Sequence, residues 1–356
     1  MSEPDALVGE AAQVVCPVCL SLIDWGGQSH YAWNRDQERY ESLDIPQDAN
    51  DYQRKRILRN AYVRCPNSGE QMAFHFLPEA YGRYGPPAVY GLIGASASGK
   101  THLLAAMVGA IEGGALGRYA ATASPIDPAK HQNYLKSEVE PFLKDSRVLS
   151  RTAEGIVSFK DALLIQEDGG ARRVITFFDV AGEELQSLED TKGFLEIVDG
   201  LIFVADPDRF DPGGAGTGDP TFSTVLNLLA ESGRSDVVSA AVVLNKADMK
   251  RFEEPVASWL RHEMTGIDPD QLLRESADVY AYLLLQGTGG WTRPYQQCGK
   301  ATFHIASAAG GPSVDTGDGG ARFPRGVSPR RVLNPLVALM AMTGVLNSPE
   351  ARKVGI

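Results

Sequence analysis

The sequence predicts an α/β chain built on a doubly wound, mostly parallel sheet. From Pro87 onward, short runs rich in β-branched and aromatic residues alternate with longer helical patterns. Several of these runs are apolar at every position, as strands buried on both faces are; a half-solvated antiparallel sheet would alternate instead. One run is followed by a cluster of small residues and a second apolar stretch, the strand–loop–helix order of an α/β unit.

The N-terminus, "MSEPDALVGEAAQ", is acidic and lacks the basic start and apolar centre of a signal peptide, and residues 1–12 are expected as a disordered tail. Residues 13–82 hold three of the four cysteines and a mixed-sign stretch, "NRDQERYESLDIPQDANDYQRKRILRN", expected as a solvated helix or insertion. "YGRYGPP" then punctuates the chain, and residues 84–356 carry the α/β pattern. Its strand-like runs are "AVYGLI", "GIVSFKDALLIQ", "RVITFFDV", "GLIFVAD", "SAAVVLN" and "ATFHIAS". Two glycine-rich stretches, "DPGGAGTGDP" and "AAGGPSVDTGDGG", are expected as mobile loops.

Composition narrows the function. A net charge of -11 weighs against a general nucleic-acid or membrane-surface binder. No run approaches the ~18 apolar residues of a membrane span, and the longest candidate, "VLNPLVALMAMTGVL", is short and carries Pro335. Four cysteines in 356 residues argue against a disulfide framework. The expectation is a cytoplasmic protein.

The cluster of small residues is "GASASGKT": Gly94, Ala95, Ser96, Ala97, Ser98, Gly99, Lys100 and Thr101, with His102 opening the helix. It fits the G-x-x-x-x-G-K-[ST] phosphate loop and sits in the required place between strand and helix. Small side chains let backbone N–H groups approach phosphate oxygens, and the helix N-terminus adds partial positive charge. Lys100 supplies a full charge near the terminal phosphates, and the Thr101 hydroxyl can ligate Mg²⁺.

A nucleotide site of this kind needs a carboxylate at the end of a second strand. "RVITFFDVAGEEL" supplies Asp179, with Gly182 completing D-x-x-G. A lone aspartate there would more often be a turn residue; the glycine matters because its N–H can meet a terminal phosphate and swing away after its loss. "AAVVLNKADMK" adds Asn245-Lys246-x-Asp248. Such a carboxylate can accept from guanine N1–H and the 2-amino group together, which adenine does not offer. The Lys246 stem can lie over the base, and Asn245 can tie this loop to the phosphate loop. "TFHIASAAG" ends a strand at Ser307, Ala308 and Ala309, where a backbone N–H can donate to guanine O6. His304 within it reads as a core histidine.

The ordered series GASASGKT, DVAGE, NKAD, SAA resembles the signature motifs of Ras-like and translation-factor-like P-loop GTPases over roughly residues 84–346. The lead-in "RCPNSGEQMAFHFLPEAYGRYG" and the closing "RRVLNPLVALMAMTGVL" also resemble the bacterial double-GTPase group, which carries a cysteine-rich N-terminus. The resemblance implies a G domain that binds GTP and GDP with Mg²⁺, hydrolyses GTP and is read by a protein effector or regulator. A non-hydrolysing GTP-binding adaptor is the alternative.

Departures from the pattern bear on hydrolysis. The switch threonine that closes on Mg²⁺ is expected at Thr152, with Thr122 as runner-up, and Arg151 beside it is a candidate for supplying charge. Glu183 stands where the family has a water-orienting glutamine, and Ser96 where minimal members keep glycine. A carboxylate is repelled by the terminal phosphate and offers no amide N–H, so slow intrinsic turnover is expected. The long gap before Asp179 contains "DPAKHQNYLKSEVEPFLKDS", whose spacing suggests an inserted helix.

"CPVC" (Cys16, Cys19) reads as a zinc knuckle, and "RCPNSG" begins a second at Cys65. The fourth position is Ser68, a poor zinc ligand; His75 or His30 can complete a Cys₃His site, or the ribbon has lost its metal and stands on packing. Cys298 is expected to be an unrelated free thiol.

Overall fold

The computed structural model describes residues 13–34, 36–69, 72–150, 157–180, 188–210, 220–317 and 320–355. Strands β1 (Gln13–Val15) and β2 (Leu22–Asp24) form a hairpin around the Cys16–Cys19 knuckle. Strands β3 (His30–Asn34), β4 (Arg39–Ser42), β5 (Tyr62–Arg64) and β6 (Phe76–Pro78) form an antiparallel sheet in the order β4-β3-β5-β6.

The mixed-sign stretch divides in two. Its second half includes the expected solvated helix, Asp51–Leu58, closed by a reciprocal Asn50–Gln53 capping box and burying only Leu58. Its first half includes β4 instead. Tyr40 packs against Trp33 across the hairpin at 4.8 Å and stacks on Phe76 at 3.9 Å. These cross-strand aromatic contacts stabilise a strand that charge alone does not reveal.

The central sheet holds β7 (Ala88–Ile93), β8 (Ala121–Pro125), β9 (Val157–Glu167), β10 (Arg172–Val180), β11 (Gly200–Ala205), β12 (Ser239–Leu244) and β13 (Lys300–Ile305). Its order is β13-β12-β11-β7-β10-β9-β8. Strands β7 and β10 to β13 run parallel, while β9 is antiparallel to both of its neighbours. The sheet is therefore mostly parallel, as the all-apolar runs require. Strand β8, "ATASP", escaped the sequence reading: it is a short edge strand that ends in proline and carries little apolar signal.

Helices cover both faces. Tyr90 and Leu92 of β7 join one core with the helices Lys100–Glu112 and Leu333–Met342. Val89 and Ile93 face the other core, under the helices Leu188–Ile197, Pro220–Glu231 and Pro269–Leu285. Every residue of β7, β11 and β12 is buried. In register, Asp179 lies beside Leu92, Ala205 beside Leu244, and Leu244 beside Ile305, so the loops after five strands leave from one edge. That carboxyl edge is where open α/β sheets bind ligands.

The inserted segment is helical, running Pro128–Tyr134, Leu135–Val139 and Glu140–Leu143 behind an Asp127 cap. Buried His131 holds it to the sheet through Asp161 at 2.6 Å, with Glu112 at 3.1 Å on its other nitrogen. The Asp161 hydrogen bond raises the pKa of His131. The second glycine-rich stretch departs from the expected loop. Val314–Asp315 pairs with Ala321–Arg322, and the hairpin is fixed from outside by Val148 N–H donating to Ala321 O (2.9 Å) and Phe323 N–H to Ser146 O (2.8 Å). The first stretch, like the expected tail, lies outside the described residues apart from Phe210, which precedes it, and Pro220 at its end. Among the described residues no helix is long and apolar enough to cross a membrane.

Candidate functional site

Residues 94–99 wrap the carboxyl end of β7. Gly94 is required by a close approach, since a Cβ there would lie 2.5 Å from the Val204 carbonyl oxygen. Gly99 has φ +88°, and its Cβ would meet Asn245 Nδ2 at 2.6 Å. Ala97, at φ +62°, is an uncommon left-handed non-glycine residue on the exposed lip of the loop. Beneath the loop, buried Lys100 donates from Nζ to the carbonyls of Gly94 (2.8 Å) and Ala95 (3.0 Å). Thr101 Oγ1 donates to Asp179 Oδ2 at 2.7 Å, so the hydroxyl and carboxylate expected to serve one cation are adjacent. Two neighbouring oxygen donors beside a phosphate loop suit the hard ion Mg²⁺.

The second loop cluster lies against the first. Asn245 Nδ2 donates to the carbonyls of Ser98 (3.0 Å) and Gly99 (3.4 Å), and its Oδ1 accepts from Ala308 N–H (3.3 Å). One side chain thus links the phosphate loop to both base-side loops. Asp248 is buried, and its Oδ1 accepts from Ser307 Oγ at 2.5 Å, while Ser307 Oγ accepts from Gly310 N–H at 2.9 Å. Ser307 therefore aims the carboxylate by a charge-assisted hydrogen bond. Ala309 O accepts from Ser328 N–H at 2.8 Å, which ties the loop to the returning chain.

Of the expected residues, four lie outside the described residues, and the side chains of two described ones stand apart from this cluster. Arg151, Thr152, Gly182 and Glu183 lie outside the described residues. Thr122 pairs with Gln166 on β9, and Gln166 pairs with Arg172, seven residues before Asp179 along β10. At ~3.3 Å per residue that is about 23 Å from the Asp179 carboxylate. The His102 imidazole packs edge-on against Phe142 and Phe323 and accepts from Leu149 N–H at 3.0 Å. Burial, helped by the charge of Lys246, pushes its pKa down to about 4. His102 is thus neutral, and its side chain holds the chain leading toward residue 151.

Two groups were missed by sequence reasoning. Asp206, at the end of β11, caps its own turn by accepting from Asp208 N–H, and it receives Lys246 Nζ at 2.7 Å, with Asp208 at 3.3 Å. An aspartate after a buried strand, followed by proline, was a readable capping signal. Behind the Ser307 loop, fully buried Glu275 pairs with Arg331 at 2.6 Å and accepts from Ile305 N–H at 2.9 Å. No local pattern pairs residues 56 positions apart. His304, beside them, is fully buried, as expected of a core residue.

At the N-terminal end, Cys16, Cys19, Cys65 and His75 bring their ligand atoms within 4.8 Å of one another. The Cys19 and Cys65 sulfurs are 3.7 Å apart, close to the ~3.8 Å edge of a tetrahedron with Zn–S bonds of ~2.3 Å. His75 Nε2 lies 3.2 Å from Cys16 Sγ, and its Nδ1 lies 3.1 Å from the Ala73 carbonyl, which favours the tautomer presenting Nε2. His30, on β3, is outside this group. Ser68 instead donates to Cys65 O at 2.6 Å and closes the turn. Cys298 belongs to no such group among the described residues, and burial pushes its thiol up to about 12.

A phosphate loop, an adjacent strand-end carboxylate and an Asn-Lys-x-Asp loop on one sheet edge define a P-loop GTPase. Residues 88–285 match the Double-GTPase 2 family, and the chain belongs to that family. The sequence matches no curated protein. Among solved structures it is similar to a GTP-binding protein from the hyperthermophilic archaeon Sulfolobus solfataricus in complex with GDP. The identity there is 17%, the TM-score 0.28, and the match covers 62% of this chain and 47% of the other. It is also similar to sup35 complexed with GDP, at 14% identity and a TM-score of 0.26, covering 62% and 37%. The chain thus spans less than half the length of these two proteins.

Proposed function

We propose that the chain is a Mg²⁺-dependent GTPase acting as a slow switch, with residues 84–356 as the nucleotide domain and 13–82 as a zinc-stabilised docking module for a protein partner. The observation that carries this reading is the Thr101–Asp179 hydrogen bond of 2.7 Å beside Lys100. Thr101 and Asp179 would hold Mg²⁺, which would neutralise phosphate charge there. Lys100 moves from the Gly94 and Ala95 carbonyls to the terminal phosphates as nucleotide enters. Asn245 holds the base and phosphate loops in one register, and Asp248, aimed by Ser307, reads the guanine edge.

Glu183 and Ser96 favour a second reading, an adaptor that binds GTP without turning it over. A single-turnover assay with saturating Mg²⁺-GTP separates the two. Slow release of GDP and phosphate, abolished by chelating Mg²⁺, is the expected result. No product after many hours, with tight GTP binding intact, would establish the adaptor.

For residues 13–82 the expected result is one zinc per chain, measured by elemental analysis of protein purified without a metal-affinity tag. His75→Ala should lower zinc occupancy, because removing one of four ligands opens the site. A folded protein free of zinc would mean that packing alone holds the ribbon.

A further inference from the structure

The turn after β11, Pro207–Arg209, touches both halves of the site. Its acidic residues are taken up on the base side, where Asp206 and Asp208 both receive Lys246 Nζ. Its basic residue points the other way. Arg209 donates from Nη2 to the carbonyl of Ser96 at 3.3 Å, on the lip of the phosphate loop. Ser96 is half-buried and Ala97 exposed, so this lip borders solvent, whereas Lys100 lies buried below. Among the described residues no carboxylate pairs with the exposed Arg209 side chain, and that one contact leaves most of its five N–H donors for other acceptors.

We propose that Arg209 is a phosphate-contacting residue that donates to the terminal phosphate oxygens of GTP from the lip of the loop. This rests on the GTPase reading above. A planar guanidinium suits phosphate, and being held at the loop it loses little further freedom on binding. In hydrolysis, the water oxygen forms a bond to the γ-phosphorus and the bond to the β–γ bridging oxygen breaks. Its electron pair stays on GDP, and the water protons end on the released phosphate and solvent. Charge grows on the bridging oxygen as that bond breaks, and a cation beside Ser96 stabilises it. An arginine supplied from within the chain is an established way to stabilise such charge. The position needs no residue from a partner.

The test uses the full chain with Arg209→Ala and Arg209→Lys, both on an exposed side chain. Affinities for GDP and for the slowly hydrolysed analogue GTPγS are measured with Mg²⁺, together with single-turnover GTP hydrolysis. In Arg209→Ala the preference for GTPγS over GDP should fall at least ~5-fold, or the rate ~100- to 1,000-fold, as for loss of one transition-state donor. Arg209→Lys should fall between, since it keeps the charge without the fork. Equal losses for both nucleotides, or no change in either, together with a wild-type rate would make Arg209 a brace for the loop and overturn the proposal. If the wild-type chain hydrolyses nothing, the switch reading fails, and the GTPγS-to-GDP ratio still decides the role of Arg209.

Discussion

Replacing Lys100 with alanine is expected to remove most nucleotide affinity while the fold persists. Lys100 is buried at the base of the phosphate loop, and its Nζ is within hydrogen-bond distance of two loop carbonyls. Bound triphosphate would sit against that ammonium in a site where water screens poorly. Truncating one partner of a buried, hydrogen-bonded charge pair costs about 2–5 kcal/mol, a loss of roughly 30- to 5,000-fold in affinity. The fold should survive because the core beneath the loop, including Leu103, Leu104 and Met107, is apolar and does not depend on the charge. Fluorescent-nucleotide titration measures the loss, and circular dichroism checks the fold. Wild-type affinity in a folded Lys100→Ala protein would remove the phosphate-loop assignment.

Asp248→Asn should invert base preference. The wild-type carboxylate can accept from N1–H and the 2-amino group of guanine at once. Asparagine turns one acceptor into a donor facing the 2-amino donor. Hydrogen bonds to a charged group contribute about 1.5–3 kcal/mol, so GTP affinity should fall roughly 10- to 150-fold. Xanthine carries a carbonyl at that position and should gain what GTP loses. The structure adds a reason for the substitution to leave the loop in place: Ser307 Oγ donates to Oδ1, and the asparagine carbonyl can still accept it. Competition between GTP and xanthosine triphosphate on both proteins reads the inversion. A mutant that keeps the wild-type margin for GTP would mean that Asp248 does not read the base.

Local chemistry made much of this chain legible. The phosphate loop could be read because close backbone approach demands small residues, and "GASASGKT" concentrates them between an apolar strand and a helix. The buried strands could be read because burial on both faces leaves no polar position in β7, while β11 and β12 end in turn chemistry. The Cys16–Cys19 knuckle was visible for the same reason, as a short spacing with one chemical use. Pairings over long separations were left open: the sequence offered His75 and His30 alike as a fourth ligand. Ser68 stands at the local spacing for a fourth ligand, yet β5 and β6 bring His75 to Cys16, 59 residues away. Edge strand β8 has too little apolar pattern to announce itself and is held by its ladder to β9.

The sequence by itself determined which groups can meet nucleotide and metal, because residue type sets charge, donors and acceptors. Only the tertiary structure decided which of them face one another. It put the expected Asn245 tie at Ser98, joined Ser307 to Asp248 and Arg209 to Ser96, and turned His102 toward Leu149. Those contacts depend on parallel strands delivering their loops to one edge of the sheet. That juxtaposition follows from how the whole core packs, and no short window of residues encodes it.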